Sequence, residues 1–239
     1  MKNLFFINQT HSTNSLLWEM LREKQLPEGF VMQTDFQTVG KGQIGNAWES
    51  EAKKNLLFSI ALYPHQIPVD EQFLISQIAS LAIKKTLDEL TDDITIKWPN
   101  DIYWKNKKLA GILIENSLQG RKIKSVVIGI GLNINQKKFT SKAPNPVSLM
   151  QIIGKRQNRK KILSSICTNL MELYRNLDIT KIRTEYADSL YYKSGFHSFQ
   201  TESEQFQAEI IAIHPDGQLE LATKNGERKG FYFKEVQFL

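Results

Sequence analysis

The stretch that decides the fold is KWPNDIYWKNKKLAGILIE at residues 97–115. In a strand over residues 93–98, alternation points Lys97 to the face opposite its apolar neighbours. The tripeptide 99–101 then ends the strand, because proline cannot donate to the ladder, and its polar side chains follow a strand end, where open sheets commonly bind ligands. Asp101 offers an oxygen ligand for Mg²⁺. On the tripeptide alone, a turn-capping role for Asp101 is the stronger interpretation.

Two hairpins are expected around this segment. Asn106-Lys107 suits the tip that leads into a strand over 108–116, and Gln119-Gly120 suits the tip before a strand over 124–135. Hairpins join antiparallel strands. We therefore predict a mixed, largely antiparallel sheet.

The rest of the chain alternates strand and helix patterns. Strands are predicted at 4–7, 30–34 and 55–63, and helices from residue 11, over 70–90 and within 156–190. The side chains at 11–14 are expected to cap the first helix. After Gly195, short alternating segments and two tight turns predict a small β-barrel. The fold class is therefore α/β (α+β), with a mixed sheet flanked by helices and a small C-terminal barrel.

Composition excludes several classes of protein. The 239 residues contain one cysteine, Cys167, which rules out an internal disulfide. The sequence has no apolar run that would span a bilayer, so we expect no membrane association and a cytoplasmic location. The net charge of +6 comes from scattered basic clusters, which favours a solvated surface over a nucleic-acid interface. A basic nucleic-acid-binding module stays open as an alternative.

The polar motifs point to a site for an anionic small molecule and a nucleotide. The four histidines lack metal-ligand spacing, and no CxxC, HExxH or serine elbow occurs. By contrast, the loop GKGQIGNAWES at 40–50 offers backbone amides for phosphate oxygens. Lys97 and Lys108 add positive charge. In GIGLN at 129–133, two glycines interrupt a strand, which predicts close approach of a ligand or another backbone.

Together these motifs resemble the biotin–protein ligases, also called biotin–[acetyl-CoA-carboxylase] ligases. The resemblance covers essentially the whole chain. KWPND at 97–101 followed by KLAGIL at 108–113 is its most specific part, and the glycine loop is the weakest. The other matching segments are Ser12-Thr13-Asn14, Gln37 to Trp48, and GIGLN at 129–133.

The resemblance implies a reaction, a fold and a set of site residues. Biotin is adenylated with Mg·ATP and then transferred to a lysine of a biotin carboxyl carrier protein domain, as in acetyl-CoA carboxylase. The implied fold is a class II aminoacyl-tRNA synthetase-like catalytic domain at 1–193 with an SH3-like barrel at 194–239. The implied biotin pocket comprises Ser12, Thr13, Asn14, Gln37, Lys41, Gly42, Gln43, Lys108 and Gly111. The implied ATP site comprises Gly40, Gly45, Asn46, Trp48, Lys97, Asn100, Asp101, Gly131 and Asn133, with Asp101 as the Mg²⁺ ligand and Lys108, Lys41, Lys97 and Asp101 as the catalytic groups.

Two departures from the family pattern matter. The family loop usually reads GRGRxGRxW, but here Lys41, Gln43 and Asn46 replace its arginines. Lysine keeps the charge without the bidentate fork, and the two amides lose the charge, so we expect weaker retention of the adenylate phosphate. The Ser-Thr-Asn motif begins at residue 12, so we expect no N-terminal DNA-binding domain and no DNA partner.

Rival interpretations remain. A lipoate or octanoate ligase or transferase shares the fold but lacks KWPND. A binding protein that has lost catalysis is disfavoured by the retention of Lys97, Asp101 and Lys108. A monomer and a homodimer joined at a sheet edge both stay open.

Overall fold

The computed structural model describes residues 3–43, 45–140 and 145–239, which form two β-sheets and five α-helices. The first sheet contains β1 (Leu4–Thr10), β2 (Phe30–Gln37), β3 (Leu56–Leu62), β4 (Ile94–Lys97), β5 (Asp101–Trp104), β6 (Lys107–Gln119) and β7 (Lys122–Leu132). The helices are α1 (Thr13–Glu23), α2 (Phe73–Asp88), α3 (Leu149–Ile153), α4 (Arg159–Arg175) and α5 (Ile179–Asp188), with a 3₁₀ turn at Val69–Glu71. The second sheet contains β8 (His197–Gln200), β9 (Gln205–Ile213), β10 (Leu219–Thr223), β11 (Arg228–Phe231) and β12 (Gln237–Phe238).

The first sheet has seven strands in the order β1-β2-β3-β7-β6-β5-β4. β1 and β2 are parallel, whereas the other neighbours are antiparallel. The second sheet has the order β11-β10-β9-β8-β12 and is antiparallel throughout. The prediction of a mixed, largely antiparallel sheet flanked by helices is confirmed, and the second sheet is consistent with an SH3-like barrel.

The core lies on both faces of the first sheet. All of β3 is buried, because α1 covers one face while α2 and α4 cover the other. A small cluster beneath α1 includes Leu17 and Met32. A large cluster on the opposite face joins Phe58 and Ile60 to α2 and α4. Burial on both faces explains why β3 reads as a continuous apolar run rather than an alternation. Among the described residues, no helix is long and apolar enough to cross a membrane.

Between residues 97 and 107 the chain forms two hairpin turns, where the sequence predicted one. β5 pairs antiparallel with β4, so that Lys97 lies opposite Asp101. The turn between them contains a cis Trp98–Pro99 peptide bond. Asn106-Lys107 therefore leads from β5 into β6. The prediction of a direct hairpin between the strands at 93–98 and 108–116 was wrong. Asp101 begins a strand instead of following one.

The two sheets contact each other at the end of β4. Trp98 is buried, and its indole Nε1 donates a hydrogen bond of 2.9 Å to the carbonyl of Gly217. Gly217 has φ +94°, and a Cβ at this position would lie 2.9 Å from Phe73 Cγ. Both the backbone conformation and the close approach thus require glycine. This contact places the second sheet beside Lys97.

Candidate active site

A hydrogen-bonded pocket forms where the start of α1 meets β3. Thr13 and Asn14 are the first residues of α1, and both are buried. The Ser59 hydroxyl lies 2.7 Å from Thr13 Oγ1 and 2.6 Å from Asn14 Oδ1, so its single proton can be donated to either oxygen. Asn14 Nδ2 donates to Glu115 Oε2 at 2.7 Å. The pocket thus combines two residues of the predicted motif with two polar partners on β3 and β6, the strands on either side of β7.

Ser59 and Glu115 were missed by the sequence analysis. Each is a polar side chain within a mostly apolar strand, Ser59 in LLFSIAL and Glu115 after LAGILI. A polar group in such a strand needs a hydrogen-bond partner or water. That interruption is the signal that would have identified both residues.

The start of α1 is capped from β2 and not by its own side chains. Ser12 occupies the N-cap position, but its side chain makes no capping hydrogen bond within the described residues. Gln37 Oε1 instead accepts from the Thr13 amide at 2.7 Å and from the Thr13 hydroxyl at 3.1 Å. The expected cap within 11–14 was therefore wrong. The parallel register, which sets Thr10 beside Gln37, brings the amide side chain to the helix end.

The glycine-rich loop folds back as a small hairpin. The Gly42 amide donates to the carbonyl of Asn46 at 2.9 Å. Lys41 Nζ donates to Ser15 Oγ of α1 at 2.8 Å, which joins the hairpin to the helix that carries the pocket. Ile44 lies outside the described residues.

The uncharged loop residues differ in exposure. Gln43 is half-buried, whereas Asn46 is exposed. Gly45 between them has φ +86°, a conformation that favours glycine. Of the two positions where an uncharged residue replaces an arginine of the family pattern, Gln43 is therefore the more enclosed.

The Trp48 indole lies against two glycines of the sheet, Gly111 and Gly131. A Cβ on Gly131 would lie 2.7 Å from Trp48 Nε1, and a Cβ on Gly111 would lie 3.0 Å from Cζ3. Similarly, a Cβ on Gly129 would lie 2.8 Å from Asn14 Cγ. We expected a ligand or another backbone against the glycines at 129 and 131. Among the described residues two side chains, and no backbone segment of another part of the chain, make the close approach.

The Trp48 segment is also tied to the loop. Its amide donates to the carbonyl of Gly40 at 3.0 Å, which holds the indole at the base of the hairpin. The indole Nε1 is buried and has no hydrogen-bond partner among the described residues.

Lys108 and Asp101 form an ion pair next to Trp48. Lys108 Nζ lies 2.7 Å from Asp101 Oδ2 and 5.9 Å from the centre of the Trp48 ring. Strand pairing sets Asp101 between Lys97 of β4 and Gly111 of β6. The carboxylate therefore stands between the strands that carry the two predicted lysines.

The Lys97 ammonium is enclosed by aromatic rings. Its Nζ lies 5.0 to 5.9 Å from the centroids of three rings, Tyr103, Phe238 and Tyr191. Burial lowers the pKa of Lys97, while Asp101 raises it and Lys108 lowers it. Burial also raises the pKa of Tyr103, so this phenol stays protonated. Phe238 belongs to the second sheet, so the environment of this lysine depends on how that sheet docks.

Two asparagines fix the backbone around these charges. Asn100 Nδ2 donates to the carbonyl of Ile112, whose amide donates back to the Asn100 carbonyl at 3.0 Å. The Asn133 amide donates to the carbonyl of Leu109 at 3.0 Å. The Asn133 Oδ1 is buried without a hydrogen-bond partner in the described part of the chain. It is therefore an acceptor available to a ligand.

The fold and this site define a class of ligases. The family model described as "Biotin/lipoate A/B protein ligase family" matches residues 6–133, a range that contains the pocket, the hairpin and the lysine pair. This range is more than half of the chain, and the chain therefore belongs to that family.

Within the family, the chain is similar to proteins named as ligases. It is 29% identical to the bifunctional ligase/repressor BirA of Bacillus subtilis over 95% of this chain and 72% of that protein. It is also 29% identical to the biotin–[acetyl-CoA-carboxylase] ligase of Mycobacterium tuberculosis over 71% of this chain and 63% of that protein.

Solved structures agree with the fold. The biotin protein ligase from Aquifex aeolicus in complex with biotin and ATP superposes with a TM-score of 0.81 at 24% identity, covering 100% of both chains. The biotin acetyl coenzyme A carboxylase synthetase from Helicobacter pylori, with bound biotinylated ATP, gives a TM-score of 0.65 at 25% identity over 95% of this chain and 99% of that chain. Both likenesses extend over the second sheet as well as the first.

Proposed function

We propose that the chain is an ATP-dependent biotin–protein ligase. It joins biotin to AMP with release of pyrophosphate, and it then transfers biotin from biotinyl-5′-AMP to a lysine of an acceptor protein. Family membership supports the ligase reaction, and the relative named as a biotin–[acetyl-CoA-carboxylase] ligase, with the solved Helicobacter pylori synthetase, supports biotin over lipoate or octanoate.

The observation that carries this proposal is the spacing of two glycines on β7. Gly129 faces Asn14 of the polar pocket, and Gly131 faces Trp48. Residues two apart on a strand share one face and are separated by about 7 Å. A polar pocket thus lies directly beside an indole and the Lys108 ammonium, which suits a small acid whose carboxylate must meet a nucleotide.

We assign biotin to the pocket at the start of α1. The ureido ring of biotin has one carbonyl acceptor and two N–H donors. The hydroxyls and amides of Ser59, Thr13 and Asn14 are already oriented by one another, so little ordering is needed when they bind it. The assigned residues are Ser12, Thr13, Asn14 and Gln37 at the ring end, and Lys41, Gly42, Gln43, Lys108 and Gly111 towards the carboxylate.

We assign ATP to the adjoining side of the sheet. Trp48 would form the wall beside the adenine, and the Asn133 Oδ1 would accept a hydrogen bond from a base or sugar donor. Lys97 and Lys108 would face the phosphates. The other assigned residues are Gly40, Gly45, Asn46, Asn100, Asp101 and Gly131.

Asp101 is the residue we assign to Mg²⁺. Among the described residues no group of three or more His, Cys, Asp or Glu side chains is arranged to hold a metal. A single carboxylate nevertheless fits this ion, which commonly takes one or two carboxylates and fills its other positions with water and phosphate oxygens. When bound, Mg²⁺ neutralises phosphate charge.

Lys108 is the principal catalytic cation in this proposal. In the first step a biotin carboxylate oxygen attacks the α-phosphorus of ATP, the new O–P bond forms, and pyrophosphate leaves with the electrons of the broken bond. Two anions must meet in this step, so a fixed ammonium between them lowers their repulsion. The ion pair with Asp101 holds the Lys108 Nζ in place before the substrates arrive. Lys97 and Lys41 add positive charge on either side.

In the second step the acceptor lysine attacks the acyl carbon as a neutral amine. An amide bond forms, AMP leaves, and the amine loses its proton. The glycine hairpin would cover the mixed anhydride and exclude water. The acceptor we propose is the carboxyl carrier domain of a biotin-dependent carboxylase, and the location we propose is the cytoplasm. We further propose a catalytic domain at 1–193 and a small domain at 194–239.

The test is biotin-dependent exchange of pyrophosphate into ATP. We expect exchange with biotin and much slower exchange with lipoate or octanoate at equal concentration. The control is Lys105→Met, because Lys105 is an exposed lysine outside the site and its replacement should leave the rate unchanged. No exchange with biotin by the folded protein would overturn the proposal.

A further inference from the structure

A cavity lies on the face of the first sheet opposite the candidate active site. Its volume is about 540 Å³, and it is bounded by β1, β2 and the start of α4. Gln33 and Asp35 of β2 line it, whereas Met32, one residue earlier, packs beneath α1 on the other face. Because successive side chains of a strand alternate between faces, the cavity and the proposed biotin pocket are separated by the sheet.

Gln33 is an unpartnered polar side chain in this cavity. The residue is only 7% exposed, and its side-chain amide has no hydrogen-bond partner among the residues that the structure describes. A mostly buried polar side chain that meets no protein partner has hydrogen-bonding capacity that water or a ligand can use. Both its donor and its acceptor are therefore available to a molecule in the cavity.

The start of α4 supplies positive charge. The first turn of this helix reads Arg159-Lys160-Lys161 and contains no acidic residue. Cations at a helix N-terminus are unfavourable, because that end already carries a partial positive charge. The Asn158 side chain accepts from the Lys161 amide, which leaves the first two amides of the turn without an intrahelical acceptor. The start of α4 therefore carries positive charge that no acidic side chain of its first turn neutralises, and this charge favours a bound anion.

One ion pair in the cavity is already satisfied. Arg159 Nη1 lies 2.9 Å from Asp35 Oδ1 and also donates to the carbonyl of Asn55 at 3.0 Å. Lys160 lines the same cavity and makes no ion pair or hydrogen bond within the described residues. The charged side chains that line the cavity, Asp35, Arg159 and Lys160, therefore have a net charge of +1.

The remaining wall is apolar and partly open. Leu4 and Phe6 of the edge strand β1 are 39% and 47% exposed, and Leu163 of α4 lies across from them. A ligand that covers large apolar side chains at this exposure is stabilised by the burial of their apolar surface. An apolar wall with a few converging polar groups is the usual form of a small-molecule site.

We propose that this cavity binds a small amphipathic anion, with an apolar chain against Leu4, Phe6 and Leu163 and a carboxylate or phosphate at Lys160 and the start of α4. Gln33 donates to or accepts from the polar end of the same molecule. The site is separate from the ligase reaction, and only the use of biotin to block the opposite pocket in its test rests on the proposed function.

The test uses octanoate and octyl phosphate as probes, titrated calorimetrically into the 239-residue protein saturated with biotin. Biotin prevents an acid from being bound in the opposite pocket. We expect saturable binding of at least one probe, with octanol and acetate each bound at least about tenfold more weakly because each lacks half of the recognised chemistry. The probe with the lower dissociation constant shows whether the site prefers a carboxylate or a phosphate.

Matched variants localise the binding. Lys160→Glu should weaken binding about tenfold, whereas Lys161→Glu, one residue further in the same helix turn, should change it less than about twofold. Gln33→Leu should weaken it about fivefold with unchanged circular dichroism. Absence of saturable binding, or equal losses in the two lysine variants, would overturn the proposal. A dimer in sedimentation that is lost on Phe6→Ser would instead identify this surface as a subunit interface and also overturn it.

Discussion

Replacing Gly131 with alanine would test whether Trp48 shapes the nucleotide side of the site. The new Cβ would lie 2.7 Å from the indole Nε1 and 2.8 Å from Cδ2, closer than real Cβ atoms approach other atoms. The backbone of β7 cannot retreat easily, because Gly131 pairs with Leu57 on one side and Gly111 on the other. The indole must therefore move.

The expected effect is large for ATP and small for biotin. Overpacking by one methyl group in a tight site costs about 1–3 kcal/mol, so the KM for ATP should rise about tenfold. The pocket at Gly129 is unaffected, and the KM for biotin should stay within about twofold. The assay is pyrophosphate exchange with each substrate varied at saturation of the other. Thermal unfolding by circular dichroism checks that the variant is folded.

Two further variants make the reasoning refutable. Gly111→Ala would place its Cβ 3.0 Å from Trp48 Cζ3, a milder contact, and should raise the KM for ATP by a smaller factor. In a Trp48→Ala background, Gly131→Ala should have almost no further effect, because the clashing ring is gone. If the two substitutions instead multiply their separate effects, Trp48 is not the group that Gly131 accommodates.

Three other substitutions address the charges. Lys108→Met should lower the exchange rate by about 10²–10³, as loss of a donor to a developing anion does in other enzymes, and a loss of less than about tenfold would contradict its proposed catalytic role. Gln43→Arg should slow release of biotinyl-5′-AMP about tenfold by adding a charge-assisted hydrogen bond, and equal off-rates in a filter-binding assay would reject this idea. Phe238→Leu should raise the KM for ATP about threefold by removing one ring from Lys97. It should also move the alkaline limb of the exchange profile to lower pH, because leucine keeps the burial that lowers the pKa of Lys97 but offers no ring face to the ammonium.

Local patterns predicted the elements with strong periodicity and missed those that depend on pairing. β3 and α2 are evident from a continuous apolar run and from helical spacing. β5 is only four residues long and lies between two turns, so it reads as part of a connection. It exists because β4 and β6 hold it on both sides. No local signal in Asp101–Trp104 carries that information.

The site residues also fall into two groups, those that local sequence patterns reveal and those that depend on contacts between distant strands. Lysines, glycines and the Ser-Thr-Asn segment are visible in the sequence because each breaks a local pattern. The enclosure of Lys97 by Phe238 is not visible, since it joins residues from opposite ends of the chain through the docking of two sheets. The role of Gln37 as a helix cap likewise depends on the β1–β2 register. Side chains that act across strands are thus the part of the site that sequence patterns leave out.

Asp101 has a role that does not require a metal. Lys108 lowers the pKa of Lys97, which means that the two ammonium groups repel each other, and the carboxylate between them offsets that repulsion. Asp101→Asn would therefore lower the pKa of Lys97 further and release Lys108, even with no ion bound. Loss of activity in this variant alone cannot identify a magnesium ligand. The distinguishing quantity is the magnesium concentration at half-maximal exchange, which rises if Asp101 binds the ion and stays constant if it only positions the lysines.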